Sequence, residues 1–204
     1  MHTTCWRTLT MPLRTAAALF LAITLTTGCS AMHGDPENPT KNPHPIKRYE
    51  VTATVDAPGP WDLVKGYLPL RVANVECVPE DKLTGGRNVP NKGYDFKMIS
   101  VDEKTWRGYF YRDAQQDEDY FGLGVCRWDA VNVGVVFKAH NAIFGASAVL
   151  GKNGPQTDYF RKSPYEDRSS STNHVPAFSS NNPLVIQQPE AFFSITIVVK
   201  EATP

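Results

Sequence analysis

From Tyr49 onward, side-chain character alternates at every second residue in run after run, and this restricts the fold more than any other feature. "YEVTATV" is rich in β-branched residues. "GYLPLRVANVECV", "YDFKMISVD", "TWRGYFYRD", "VCRWDAVNVGVVFKAH", "IFGASAVL", "TDYFRK" and "AFFSITIVVKEA" follow, separated by clusters of Gly, Pro, Asn and Asp. A strand sends successive side chains to opposite faces, so such runs specify half-buried strands. No window carries the three-to-four-residue recurrence of a long amphipathic helix, and only "PWDLVKGYL" suggests a helical turn. The expectation is an all-β, single-domain antiparallel β-sandwich of immunoglobulin-like type, with a barrel as the alternative. Ser163–Glu190 resists assignment to strands. Connections this long are functional or mobile loops, and its "VPAF" and "PLVI" predict points tacked onto the sheet.

The other end of the chain reads as an address. Arg7 and Arg14 are the only charges before Asp35, and Ala16–Leu25 is almost unbroken in its apolar character. An apolar run of about ten residues is too short for roughly 30 Å of hydrocarbon and matches a signal-peptide core. It ends in "LTTGCS", which resembles the lipobox of bacterial lipoproteins although Thr26 stands where leucine is usual. The resemblance implies a leader over residues 1–28, cleavage before Cys29 and acylation of its thiol. Ser30 is not the aspartate that retains such proteins in the inner membrane, so the expected location is the outer membrane, facing the periplasm. Residues 29–48 hold Pro36, Pro39, Pro43 and Pro45 and read as a flexible tether before a domain spanning 49–204. Extended at ~3.1 Å per residue, such a tether would reach about 50 Å.

Cysteine usage agrees with that compartment. Of four cysteines, Cys5 leaves with the leader and Cys29 takes the lipid. Cys77 and Cys126 remain, an even pair expected to form a disulfide. Neither Cys-x-x-Cys nor paired histidines supply a zinc spacing. The chain has 21 basic and 21 acidic residues, and loss of Arg7 and Arg14 leaves 19 against 21. This balance excludes the basic face that nucleic acid demands, and a lipid anchor needs no basic patch.

Catalytic constellations are missing from the sequence. "FGASAVL" around Ser147 lacks the second glycine of a nucleophile elbow, and His140 and His174 are the only candidate bases in the domain. Cysteine catalysis conflicts with the expected bridge. The expectation is therefore a protein that is not an enzyme and needs no cofactor. The densest charge lies at Asp113, Asp117, Glu118 and Asp119, ahead of Tyr120 and Phe121. Calcium would need oxygen ligands at other spacings, and glycoside hydrolysis would need two carboxylates with contrasting environments. Two readings stay open: a solvated hairpin loop, or a partner-binding rim with a Tyr–Phe anchor. In "TWRGYFYR", Trp106, Gly108, Phe110 and Arg112 share one face, while Tyr109 and Tyr111 lie on the other with Arg107. Those two tyrosines are expected to join the partner surface.

"DEDYFGLGVCRWDAV", with "NVECVP" before it and "FFSITIVVKEATP" at the end, is similar to small periplasmic lipoproteins of proteobacteria found in xanthomonad-like genomes. Lipidated β domains of this sort include immunity proteins, which block toxic enzymes delivered by neighbouring cells. The resemblance implies a membrane-held domain with a protein partner in the periplasm, possessing no transferable site motif. Alternatives are an accessory lipoprotein of an envelope or secretion complex and a binder of small ligands or glycans.

Overall fold

In a computed structural model, which describes residues 34–57, 59–167 and 174–203, the alternating runs become ten strands. In chain order they are β1 (Arg48–Val55), β2 (Leu63–Val72), β3 (Asn91–Ser100), β4 (Thr105–Tyr111), β5 (Trp128–Asp129), β6 (Asn132–Ala139), β7 (Ala142–Val149), β8 (Gln156–Arg161), β9 (His174–Val175) and β10 (Phe192–Glu201). Two short helices, α1 (Ser163–Glu166) and α2 (Pro183–Gln187), lie between β8 and β10. The all-β expectation is met. "PWDLVKGYL" is not a helical turn: β2 runs from Leu63, and its inward residues Gly66, Leu68, Leu70 and Val72 are buried in strict alternation. The long run "VCRWDAVNVGVVFKAH" breaks at Ala130 and Val131 into β5 and β6.

Hydrogen bonding links the strands in one path, β8-β10-β1-β4-β3-β2-β6-β7-β9, with β5 added to the tail of β2. Only the β7–β9 pair is parallel among the described pairings. The path turns within β3: Asn91–Lys97 pairs with β2, and Met98–Ser100 pairs with β4. The β2–β3 ladder needs a glycine on each strand. A Cβ on Gly66 would fall onto the Phe96 ring, and one on Gly93 onto Tyr67. The rings fill the space the glycines leave, which pins the register there.

The sheet then curls until β8 and β10 face β7, giving a nearly closed barrel. The inward face of β7 carries Ala142, Ala146 and Ala148 around Phe144, and these small side chains leave room for the returning strands. Side chains knit part of the β7–β8 seam: Ser147 N donates to Asp158 Oδ2 at 3.0 Å, and Gln156 exchanges bonds with the Val149 backbone at 2.9 and 3.1 Å. Farther along, β9 pairs with Ile143 and Phe144, while Phe178 bridges Tyr159. The expected tacking of "VPAF" and "PLVI" is present, the latter as α2 with Val185 buried.

The core fills the barrel with Val51, Ala53 and Val55, Leu68 and Leu70, Val133, Val135 and Phe137, Phe160, and Ile195 and Ile197. One end is aromatic. Trp61 packs on Phe137, Phe144, Tyr165 and Phe193 at centroid distances of 5.2, 5.7, 5.0 and 6.1 Å. The opposite end is closed by the loops that carry the candidate site.

Candidate functional site

The first component of that end is the proline-rich segment. From Gly34 it is not a free tether, contrary to the expectation for residues 29–48, but a strap lying on the domain. Lys41 forms a bridge with Gln115, Asn42 N donates to Ala114 O at 2.9 Å, and Gln116 N donates to Thr40 O at 2.8 Å. The Asp113 carboxylate accepts both Ile46 N and Lys47 N at 2.9 Å. Asn42 Nδ2 donates to Asp113 O at 2.9 Å, and Lys92 Nζ to Glu37 O at 2.9 Å. The buried Gln115 amide, oriented with its nitrogen towards acceptors, donates to Pro39 O and Thr40 O. Prolines deprive a segment of donors, so composition alone suggested that nothing would hold it. The acidic loop supplies the missing partners.

Those same bonds change the meaning of the acidic stretch. Asp113 holds the strap. Asp117 Oδ1 accepts Trp128 N at 2.9 Å. Asp119 Oδ1 accepts Phe121 N at 3.2 Å and Gly122 N at 2.7 Å, closing the turn in which Gly122 and Gly124 take positive φ. Glu118 O accepts Cys126 N at 2.9 Å, and the Glu118 side chain lies over Gly34. Tyr120 does not project as an anchor. It is 4% exposed, and its hydroxyl accepts Trp128 Nε1 at 2.9 Å. Phe121 is half-buried beside Pro36 and Glu37.

The disulfide expected between Cys77 and Cys126 is formed, with both residues buried and their Cα atoms 5.4 Å apart. It joins the 3-10 turn after β2 to the base of the acidic loop. Asn74 reinforces the same junction, donating to Val125 O at 2.9 Å and accepting Arg127 N at 2.6 Å.

Strap and sheet together wall a groove of about 360 Å³. Tyr94, Tyr109 and Tyr111 form its floor, with Asp95 from β3 and with Lys41, Asn42, Pro45 and Gln115 along the strap side. Tyr109 is 39% exposed, yet it is fixed: its hydroxyl donates to Glu50 Oε2 at 2.8 Å, and the Arg48 guanidinium stands 4.2 Å over its ring. Tyr94 OH donates to Tyr111 O at 2.8 Å. Burial pushes the Tyr94 phenol up to about 12, against a partial lowering by that hydrogen bond. The sign of the pH dependence follows. Below pH 10 the phenol is neutral in both folded and unfolded chains, while above it the unfolded chain ionises first. Stability held by Tyr94 is therefore lost as pH rises from 10 towards 12. Alkaline unfolding of Tyr94→Phe should show a shallower loss over this window than the native chain; identical curves would contradict it.

Sequence reasoning identified Tyr109 and Tyr111 but missed three contributors. Tyr94 stands opposite buried Leu68, on the inward face, and reaches the groove only because β3 parts from β4 before Met98. The strap was dismissed by composition. Arg112 shares the face of Trp106, Gly108 and Phe110, but its partner was not foreseen: it bonds Asp129 through Nε at 2.5 Å and Nη2 at 2.9 Å. Asp129 raises the Arg112 guanidinium above its ordinary value. Opposite charges at two strand ends were the available signal.

The groove offers aromatic faces, hydroxyls, amides and single charges, a set suited to holding a ligand by stacking and hydrogen bonds. Ser147 N is bonded in the β7–β8 seam, His140 ends a turn with φ 53° where its N donates to Asp62, and His174 lies exposed in β9. Among the described residues no three His, Cys, Asp or Glu side chains converge as metal ligands. Cys29 and the leader lie outside the described residues.

Removal of the Asp113 carboxylate tests the strap. Losing an acceptor shared by two backbone donors, at about 1.5–3 kcal/mol for bonds to a charged group, should raise strap opening roughly 10- to 100-fold. Trypsin should cut Asp113→Ala faster at Lys41 and Lys47 than the native chain, with the barrel's melting temperature little changed. Equal cleavage rates would show that the strap is held by other means.

Comparison of the chain with protein-family models, with curated proteins and with solved structures finds no match.

Proposed function

We propose that this chain is a non-enzymatic lipoprotein, anchored through Cys29 to the outer membrane and facing the periplasm, that binds a protein partner through the Tyr94–Tyr109–Tyr111 groove. The observation that supports this best is the exposed Tyr109 ring, held by Glu50 and Arg48, in a groove that Tyr94 and Tyr111 also line with polar groups around them. Pre-arranged tyrosines offer contact area at little ordering cost, which is what a binding surface needs. Pro45 of the strap already lines the groove, and a segment of a partner could pack beside it in the same way. In its sharper form the partner is a toxin acting in the periplasm and this chain its immunity protein. Asp113, Asp117 and Asp119 are assigned to scaffolding and Tyr120 to the core, so the partner surface shifts from the acidic loop to Tyr94, Tyr109 and Tyr111.

For the architecture, the strand path favours a flattened, nearly closed barrel over a two-sheet immunoglobulin-like sandwich. The groove lies where β3 and β4 part beside the strap.

A second reading has its own support: tyrosine rings bordered by Asp95, Asn42 and Gln115 also suit a glycan. Both are tested by capture on the immobilised domain, residues 34–204, using native chain and Tyr109→Ala/Tyr111→Ala in parallel. A protein retained by the native chain and lost from the variant, with unchanged thermal unfolding, supports the first reading. Stabilisation of the native chain alone by oligosaccharides supports the second. Equal retention by both chains would remove the groove from the function.

A further inference from the structure

We propose that the barrel end carrying the Cys77–Cys126 bridge rests directly on the lipid surface, with Val75, Leu123 and Val125 as its contact. This deepens the anchoring reading above and rests on it. Its starting point is the strap. Gly34 is seated so tightly that a Cβ there would collide with the Glu118 carboxylate and the Tyr120 ring. It is only five peptide steps from Cys29, with four residues between them. Fully extended, five residues span at most about 18 Å, so the leash is about a third of the reach that the whole segment would have as free chain. An acylated Cys29 must then enter the bilayer close to the loop on which Gly34 sits.

That loop and the 3-10 turn bridged to it present apolar side chains to solvent. Val75, Leu123 and Val125 are 43%, 53% and 51% exposed. They are one neighbourhood, because Asn74 binds Val125 O and the adjoining Arg127 N, and Cys126 is bridged to Cys77. Leu123 sits at the tip of the turn closed by Asp119, between Gly122 and Gly124. Arg127, two residues from Val125, is exposed beside them and is placed to meet phosphate headgroups; Glu76, Glu118 and Asp119 are the acidic neighbours that oppose it. The far end of the barrel has its own exposed apolar residues, Ile99 at 57% and Val101 at 54%. What separates the two ends is the leash, which leads only to the first. With this end down, the groove on the barrel's flank stays open to the periplasm.

The test uses the full chain, acylated in a bacterial host and reconstituted in phosphatidylethanolamine–phosphatidylglycerol vesicles whose acyl chains carry doxyl quenchers. Leu123→Trp and Ile99→Trp are compared against the native tryptophan background, and both positions are exposed enough to tolerate the ring. Emission added by Leu123→Trp should fall by about twofold in quencher vesicles, as for a side chain at the headgroup–acyl boundary, while that from Ile99→Trp stays unchanged. Absence of quenching at Leu123, or equal quenching at both positions, overturns the proposal. The mass of Cys29 in the same preparation separates the failures. An acylated chain without quenching refutes only the orientation, whereas an unmodified Cys29 refutes the anchor as well.

Discussion

Replacement of both Cys77 and Cys126 by serine should lower the unfolding free energy by about 4 kcal/mol. The bridge spans 49 residues of sequence, and a loop of that length restricts the unfolded chain by about this amount, with native strain and residual unfolded structure reducing it. At ~2–4 °C per kcal/mol for a domain of this size, the melting temperature should drop by roughly 8–16 °C. The effect should be local before it is global. The bridge anchors the acidic loop, and the acidic loop holds the strap through Asp113 and Ala114, so strap proteolysis should accelerate below the melting transition. Thermal unfolding with and without reductant measures this. A drop under about 2 °C would mean that the unfolded chain is already restricted there by other contacts.

Phe144→Ala should have a comparable effect for a different reason. Phe144 is fully buried, and its ring meets Trp61, Phe160 and Phe193 at 5.7, 5.7 and 5.1 Å. It is also the one large side chain on an inward face otherwise made of alanines, so its neighbours on β7 have no bulk to move into the void. Loss of a buried phenyl ring with poor collapse costs about 3–5 kcal/mol. Urea unfolding should show a lower midpoint with an unchanged slope. A loss below about 1 kcal/mol would mean that β8 and β10 close onto β7 and fill the cavity.

Much of the fold was legible because period two leaves little choice. In β1, β4, β6, β7 and β10 the buried residues are those the alternation selects. The disulfide was legible from the count of cysteines once the leader was set aside. Closure of the sheet was not, since it depends on β3 serving two neighbours in turn and on Ala142, Ala146 and Ala148 facing a strand more than forty residues away in sequence. Composition misled at the strap for a physical reason: a donor-poor segment with few apolar groups cannot fold by itself, but it can be held by acceptors and donors already ordered elsewhere. The acidic loop misled in the complementary way. Asp113, Asp117 and Asp119 looked like charge offered to a partner, and each accepts backbone N–H groups of this chain. Tyr109 and Tyr111 were legible as an outward pair, whereas the third ring, Tyr94, needed the turn in β3.

The most direct test of the groove as binding site is hydrogen–deuterium exchange of the domain with and without its captured partner. Binding in the groove should slow exchange in Tyr109–Tyr111, around Tyr94 and in the strap from Lys41 to Ile46, leaving the turn at Asp119–Gly124 unchanged. Protection confined to that turn, or to the far end of the barrel near Ile99, would contradict it.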